Sequence, residues 1–275
     1  MQALCKPCKE SKKSKTACQR QARCKLSVEE QFFLVLVRLR TSASVLDLSH
    51  RASISPSTFS KLFTTWRNFL AYELKALHGF PASNPRVLVK SFIKFRETRV
   101  IIDCTEVFTE RLSGLESRKQ LFSNYKHHAT TKFLVGISLS GSVLYVSNMW
   151  RGRASDKKIT MECGLIDLLS PGQYIMADRG FTIEEELREK RIGLYIPSFL
   201  GSKRSQLTAE EVTSTRRIAE ARTHVVHVIG RIKEFKILCG DLDLGLLHVL
   251  EQVFQVCAYL TNFQKPIVKD VIYIE

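Results

Sequence analysis

The stretch that most constrains the fold is Arg99–Glu110, RVIIDCTEVFTE, in which a short apolar run meets a carboxylate. The run, Val100-Ile101-Ile102, is rich in β-branched residues, which is typical of a strand buried on both faces. Asp103 ends the run, and a desolvated carboxylate is costly unless a cation compensates its charge. From this stretch alone, a strand-end cap or an ion pair with a nearby Arg explains Asp103 equally well.

A second stretch repeats the pattern. In Tyr174–Phe181, YIMADRGF, an apolar run is again broken by an aspartate, Asp178. Two strands that each carry one Asp near their middle or end supply the oxygen ligands that a divalent metal site on a sheet needs. We therefore predict that Asp103 and Asp178 lie on neighbouring strands and share a cation.

Composition points to a folded protein with a polyanionic partner. The 275 residues are enough for one good core and a smaller accessory domain, and 44% of them are hydrophobic. The formal net charge is +15 and the pI is about 9.6. An excess of this size favours nucleic acid over a merely soluble basic protein.

The eight cysteines are scattered along the chain. We identify no signal peptide ahead of them and no apolar run long enough to span a membrane. The sequence therefore predicts reduced thiols in an intracellular protein with no membrane partner.

The first 25 residues differ from the rest in charge. They carry eight lysines and arginines against the single Glu10, a net +7. This composition favours a disordered basic tail. Zinc binding by Cys5, Cys8, Cys18 and Cys24 stays open, although the spacing matches no finger pattern and a second CxxC is missing.

The next segment predicts three helices. Ser27 and Glu30 form a capping-box pattern at the start of the first, and a shorter segment follows at Ser44–Arg51. Ser55 is placed to cap a third helix, with Pro56 at its first position. This helix has one apolar face, formed by Phe59, Leu62, Phe63 and Trp66, and an exposed polar start, formed by Ser57, Thr58, Ser60 and Lys61.

A helix, a short helix, a tight turn and a helix with a polar start match the helix-turn-helix layout, although an ordinary three-helix bundle has a similar pattern. We predict that the polar residues Ser57, Thr58, Ser60 and Lys61 contact DNA. Gly79–Pro85, GFPASNP, then breaks the helix and indicates a linker.

From Arg99 onward the pattern is that of an α/β domain. Two apolar segments, 132–138 and 142–147, flank Ser140-Gly141 and predict a hairpin, so that the Asp103 strand has antiparallel neighbours. Further predicted elements are a helix from Ser155 to about Leu169, the Asp178 strand, a helix over 183–190, a strand over 193–197 and a long helix over 213–235. The order is compatible with a ribonuclease-H-like core, a mixed sheet with helices.

With these residues in view, the chain resembles the DDE superfamily endonucleases, in particular the Harbinger-like transposase group with an attached helix-turn-helix. The resemblance covers roughly residues 26–265 and rests on five segments: IIDCTEVF (101–108), SNYKHHATTKFLVGIS (123–138), GRASDKKIT (152–160), IMADRGF (175–181) and RTHVVHVIGRIKEFKIL (222–238). It implies a nuclease that cuts and rejoins DNA at transposon ends, with two Mg²⁺ or Mn²⁺ ions held by Asp, Asp and Glu.

The resemblance makes Asp103 the first acid and Asp178 the second. The third acid is missing, because family members resemble HVERVIGRIK where this chain has HVVHVIGRIK, so that Val226 stands in place of the Glu and His227 in place of the Arg. Cleavage is therefore expected to be strongly reduced or absent, with metal binding partly retained.

Helix geometry supports this assignment. Position 226 shares a polar helix surface with Arg222, Gly230 and Lys233. Glu220 and Glu234 are rotated from it by about 120° and 80°, so neither replaces the missing acid. His224 and His227 are interpreted as exposed helix residues, because Mg²⁺ and Mn²⁺ prefer oxygen ligands.

Other charged residues near these strands have simpler interpretations. Asp156 is predicted to be a first-turn helix residue and Glu106 a surface acid at a strand end; either could assist metal binding, but neither is a primary ligand. Basic residues are predicted to contact DNA phosphates, namely Lys126, Lys132, Arg151, Arg153, Arg222 and Lys233.

Two hypotheses follow: an impaired transposase-type endonuclease, or a catalytically inactive DNA-binding protein derived from one. Both predict DNA as the partner and a nuclear location. Both also allow a homo-oligomer or an accessory DNA-binding protein as a further partner. The predicted regions are a tail (1–25), a helix-turn-helix domain (26–78), a linker (79–98), the endonuclease domain (99–265) and a C-terminal tail (266–275).

Overall fold

The structure, a computed structural model, describes residues 26–80, 87–89, 95–110, 122–123, 128–198, 208–268 and 271–273. The basic tail with its four cysteines, and Lys126, lie outside these residues. The helices are α1 (Val28–Thr41), α2 (Val45–Arg51), α3 (Pro56–His78), α4 (Asp156–Glu162), α5 (Glu184–Glu189), α6 (Ala209–Lys233), α7 (Leu244–Leu247) and α8 (Leu250–Leu260). The strands are β1 (Val87–Val89), β2 (Thr98–Phe108), β3 (Phe122–Ser123), β4 (His128–Ile137), β5 (Val143–Val146), β6 (Trp150–Arg151), β7 (Tyr174–Met176), β8 (Gly193–Tyr195) and β9 (Val271–Tyr273).

The three N-terminal helices begin where the sequence predicts. The Ser27 hydroxyl accepts a hydrogen bond from the Glu30 N–H, and the Glu30 carboxylate accepts one from the Ser27 N–H, so the capping box is confirmed. Ser55 caps α3 through the N–H of Thr58, with Pro56 at the first helical position. The layout is that of a helix-turn-helix.

Strand β2 lies at the centre of the main sheet. Along the order β3-β4-β2-β7-β8, it pairs antiparallel with β4 and parallel with β7, while β5 and β6 also pair with β4. The predicted hairpin is confirmed, since β4 and β5 are antiparallel and Gly141 takes a left-handed φ of +86° in the turn between them.

The two faces of β2 pack into separate apolar cores, because successive side chains on a strand point in opposite directions. Ile101 contributes to the core beneath α6 and α8. Val100 and Ile102 contribute to the core that contains the apolar side chains of α4 and α5. A mixed sheet covered by helices and preceded by a helix-turn-helix is the predicted ribonuclease-H-like architecture.

The helix-turn-helix packs directly onto the endonuclease region. Buried residues of α3 belong to the same apolar core as those of α6 and α8. At its edge, Arg67 Nε donates to Gln252 Oε1 at 2.8 Å, and Arg40 pairs with Glu234 at 3.0 Å. The predicted boundaries between the regions remain predictions, but the helices and the sheet share one interior.

One predicted helix is too long. The segment from Ser155 to about Leu169 forms α4 only as far as Glu162, followed by a 3₁₀ turn at Ile166–Leu168. Gly164 causes the break, because it follows the C-cap with a left-handed φ of +85°. Among the described residues, no helix is long and apolar enough to cross a membrane.

The stack of Phe133 on Phe254 offers a test of the shared core. The ring centroids are 4.0 Å apart, and both side chains are fully buried between β4 and α8. We expect Phe254→Ala to lower the free energy of unfolding by about 3–5 kcal/mol in urea titrations, because it leaves a cavity. Phe33→Ala, at a site 64% exposed, is the control and should change stability by less than about 0.5 kcal/mol. Equal unfolding midpoints for the two variants would contradict this view of the core.

Candidate metal centre and nucleic-acid interface

The parallel pairing of β2 with β7 brings the two predicted aspartates together. Ile101 lies opposite Met176 in this pair, and each aspartate follows two residues later on its own chain segment. Two residues along a strand restore the same face, so Asp103, in the middle of β2, lies next to Asp178, which follows the carboxyl end of β7. The two carboxylates are close enough for the negative charge of Asp178 to raise the pKa of Asp103.

A cavity of about 430 Å³ opens at this end of the sheet. β7 ends opposite Ile101 while β2 continues to Phe108, so in the described part of the chain one edge of β2 has no strand beside it from Asp103 to Val107. Crevices at the carboxyl ends of sheet strands are common ligand sites. The cavity is lined by Asp103, Cys104, Thr105, Glu106, Lys132, Asp156, Val226, Ile229 and Lys233.

Both aspartates are oriented by the same local hydrogen bond. Asp103 Oδ1 accepts from the N–H of Cys104 at 2.9 Å, and Asp178 Oδ1 accepts from the N–H of Arg179 at 2.7 Å. Within the described residues, the Oδ2 atom of each aspartate accepts no hydrogen bond. Each carboxylate therefore keeps one oxygen for a ligand.

The environment of Asp103 disfavours its negative charge. Burial raises the pKa of Asp103 from its ordinary 3.8 to about 6. The positive charge of Arg222 opposes this rise in pKa, whereas the nearby carboxylates of Asp178 and Asp156 add to it. A bound cation would compensate the repulsion among these acids.

Val226 lies on the cavity wall contributed by α6, where the resemblance places the third acid. Val226 is 51% exposed, so its side chain is accessible from the cavity. Neither Glu220 of α6 nor Glu234, which directly follows α6, lines the cavity: Glu220 pairs with Arg216, and Glu234 pairs with Arg40. The loss of a third acid at position 226 stays a prediction.

Lys132 occupies a position that the sequence did not predict. It was predicted to contact DNA phosphates, but its side chain is only 14% exposed and lies 3.6 Å from Glu106 and 3.4 Å from Asp156. Glu106 also accepts a hydrogen bond from Thr130. The prediction of Glu106 as a surface acid at a strand end is wrong, because β2 continues past it and pairs it with Lys132. Asp156 does lie in the first turn of α4, as predicted.

Arg222 likewise faces the aspartates. Its Nη1 donates to Asp178 Oδ1 at 2.8 Å, and the side chain is 15% exposed. His227 is exposed as predicted, but His224 is half-buried, and burial lowers its pKa. No signal in the sequence pairs Arg222 with a residue 44 positions earlier.

The remaining predicted DNA contacts lie on the surface. Ser57, Ser60 and Lys61 are exposed at the start of α3, and the half-buried Thr58 hydroxyl is within hydrogen-bond distance of Ser55. Lys233 is exposed at the mouth of the cavity. Arg151 and Arg153 line a second cavity of about 640 Å³ with Trp150 and Lys158. DNA binding by each of these residues stays a prediction.

The donor atoms fit one oxygen-liganded cation with two protein ligands. Among the described residues there is no group of three His, Cys, Asp or Glu side chains placed to hold a metal ion. Mg²⁺, however, commonly uses only one or two carboxylates and keeps several waters. Asp103 and Asp178 offer carboxylate oxygens of this kind and Val226 offers no ligand atom, while the sharing of one cation by the two aspartates stays a prediction.

The raised pKa of Asp103 makes stability depend on pH. A carboxyl group that ionises at about 6 when folded but at 3.8 when unfolded contributes stability that is fully present below pH 3.8 and is lost as the pH rises through about 6. In metal-free buffer, urea unfolding should therefore show a loss of stability over this window that Asp103→Asn flattens. Parallel pH profiles for the two proteins would contradict the burial of this carboxyl.

Comparisons with known families identify the family of the chain. A family model described as DDE superfamily endonuclease matches residues 102–262, and a model described as helix-turn-helix of DDE superfamily endonuclease matches residues 24–76. No curated protein matches the chain. Because the endonuclease model covers more than half of its residues, the chain belongs to the DDE superfamily endonucleases.

Proposed function

We propose that the protein is a transposase-derived, DNA-binding endonuclease whose metal-dependent cleavage is impaired by Val226. The observation that carries this proposal is the position of Val226 on the wall of the cavity that contains Asp103. At that point a DDE endonuclease needs a third carboxylate, and valine has no atom that can ligate a cation.

Asp103 and Asp178 would hold a divalent ion, Mg²⁺ or Mn²⁺, through their free carboxylate oxygens. When bound, such ions activate a water or a DNA 3′-hydroxyl and stabilise the leaving oxygen of an in-line displacement at phosphorus. The backbone N–H groups of Cys104 and Arg179 fix both carboxylates in advance. Preorganised ligands of this kind reduce the cost of ordering the site.

The loss of one anionic ligand has a large expected effect on rate. Each tenfold loss corresponds to about 1.4 kcal/mol of activation free energy. The ion pairs of Lys132 with Glu106 and Asp156, and of Arg222 with Asp178, reduce the negative charge of the site further. These pairs favour weak cation binding and slow cleavage.

The exposed start of α3 supports the DNA-binding part of the proposal. In a helix-turn-helix, the N-terminal residues of the second helix of the motif enter the major groove. Here α3 is that helix, and Ser57, Ser60 and Lys61 are exposed at its start. The net charge of +15 adds a general attraction for the phosphate backbone.

The alternative function is that of a DNA-binding protein without catalysis, in which the endonuclease region serves as a scaffold. The Arg222–Asp178 ion pair favours this alternative, because it occupies one of the two remaining acids. In either case we propose transposon-end DNA of the Harbinger type as the target and the nucleus as the location. We also propose that the protein acts as a homo-oligomer or together with an accessory DNA-binding protein.

Restoring the third acid distinguishes the two functions. We expect Val226→Glu to increase Mn²⁺-dependent nicking of supercoiled plasmid DNA by at least about tenfold, because it adds an anionic ligand to the cavity. Val226→Gln is the matched control, since the Gln side chain has nearly the same shape as that of Glu but carries no charge. If the Glu variant folds and nicks no faster than the Gln variant, the endonuclease proposal fails and the scaffold alternative is favoured.

Substitution of Lys61 tests whether the start of α3 contacts DNA. Fluorescence anisotropy with duplex DNA should show weaker binding by Lys61→Ala, and the slope of log affinity against log salt should fall by about one, as for one lost phosphate contact. Lys75→Ala removes the same charge from the exposed last turn of α3 and is the control. Equal effects of the two substitutions would argue against a specific role for the start of α3.

A further inference from the structure

We propose that Arg222 is a built-in counter-ion of the aspartate pair, which occupies Asp178 in place of a divalent cation because position 226 offers it no carboxylate. This inference rests on the proposed function, since it concerns the same site. It assigns to Arg222 a role that differs from the DNA contact predicted from the sequence.

The contacts of Arg222 are those of a counter-ion. Nη1 donates to Asp178 Oδ1 at 2.8 Å, the same oxygen that accepts from the Arg179 N–H. The positive charge of the guanidinium also acts on Asp103. Arg222 therefore interacts with both of the acids that the site retains.

The Nε atom of Arg222 indicates that the arginine lacks a second acceptor. It is buried and, within the described residues, donates to no acceptor. Val226 is four residues further along α6, on the same side of the helix, where a carboxylate is a favourable partner for an arginine. With valine at that position, Arg222 has Asp178 as its carboxylate partner in the described structure.

Two roles for Arg222 predict opposite effects on cation affinity. If the guanidinium is a counter-ion, its charge repels a divalent ion that approaches the same carboxylate. Solvent screens this repulsion only in part, because the Arg222 side chain is 15% exposed, although that of Asp178 is 51% exposed. Removal of the charge should then strengthen cation binding. If Arg222 only holds Asp178 in a productive orientation, its removal should weaken cation binding.

Mn²⁺ binding to the full-length chain separates these roles. We expect isothermal titration calorimetry to show at least about tenfold tighter binding by Arg222→Gln than by the wild type, equivalent to about 1.4 kcal/mol. Arg222→Lys retains the charge and should bind Mn²⁺ like the wild type. The matched control is Arg216→Gln, which removes a charge from the same helix at a side chain that is 81% exposed and pairs with Glu220; its affinity should not change.

Arg222→Met provides a second neutral variant that keeps the apolar stem of the side chain, in case the Gln variant does not fold. Unchanged or weaker Mn²⁺ binding by a folded neutral variant overturns the inference. Asp103→Asn distinguishes a failure of the counter-ion role from a failure of the proposed function, because it shows whether Mn²⁺ binds at the aspartate pair at all. Mn²⁺ binding that Asp103→Asn removes but that is insensitive to residue 222 overturns only the counter-ion role. If neither the wild type nor Val226→Glu shows Mn²⁺ binding that depends on Asp103, the proposed function fails as well.

Discussion

The parallel pairing of β2 with β7 is the interaction on which the site depends. Its register places Ile101 opposite Met176, and it therefore brings Asp103, in the middle of β2, beside Asp178, just past the end of β7. A shift of one residue would turn one aspartate to the other face of the sheet. The close packing of both apolar cores opposes such a shift, because Val100, Ile101 and Ile102 would each have to repack in the opposite core.

Charge compensation is the second constraint. The cavity is lined by acids of β2 and α4, and Lys132 lies between two of them, Glu106 and Asp156. Arg222 pairs with Asp178, whose negative charge acts on Asp103, so the protein compensates these acids with its own cations. In a DDE endonuclease, divalent cations supply this compensation. If Val226 stands in place of the third acid, as we propose, the balance moves toward the protein's own cations, and this links the proposed loss of cleavage to the proposed role of Arg222.

The shared core connects the two DNA-related surfaces. Helix α3 presents its polar start to solvent and buries its apolar face against the helices that cover the sheet. Packed side chains therefore join the helix-turn-helix to α6, the helix that carries Arg222 and Val226. DNA recognition and the cavity are parts of one folded unit even though the family models match them as separate segments.

The sequence by itself determined the features that depend on neighbouring residues. Short apolar runs located β2 and β7 and the aspartates that interrupt them, capping residues located α1 and α3, and the helical repeat predicted that Glu220 and Glu234 face away from position 226. Only the tertiary structure decided which distant side chains meet. The burial of Lys132, the Arg222–Asp178 ion pair and the docking of α3 join residues far apart in the chain, and local patterns carry no information about such contacts.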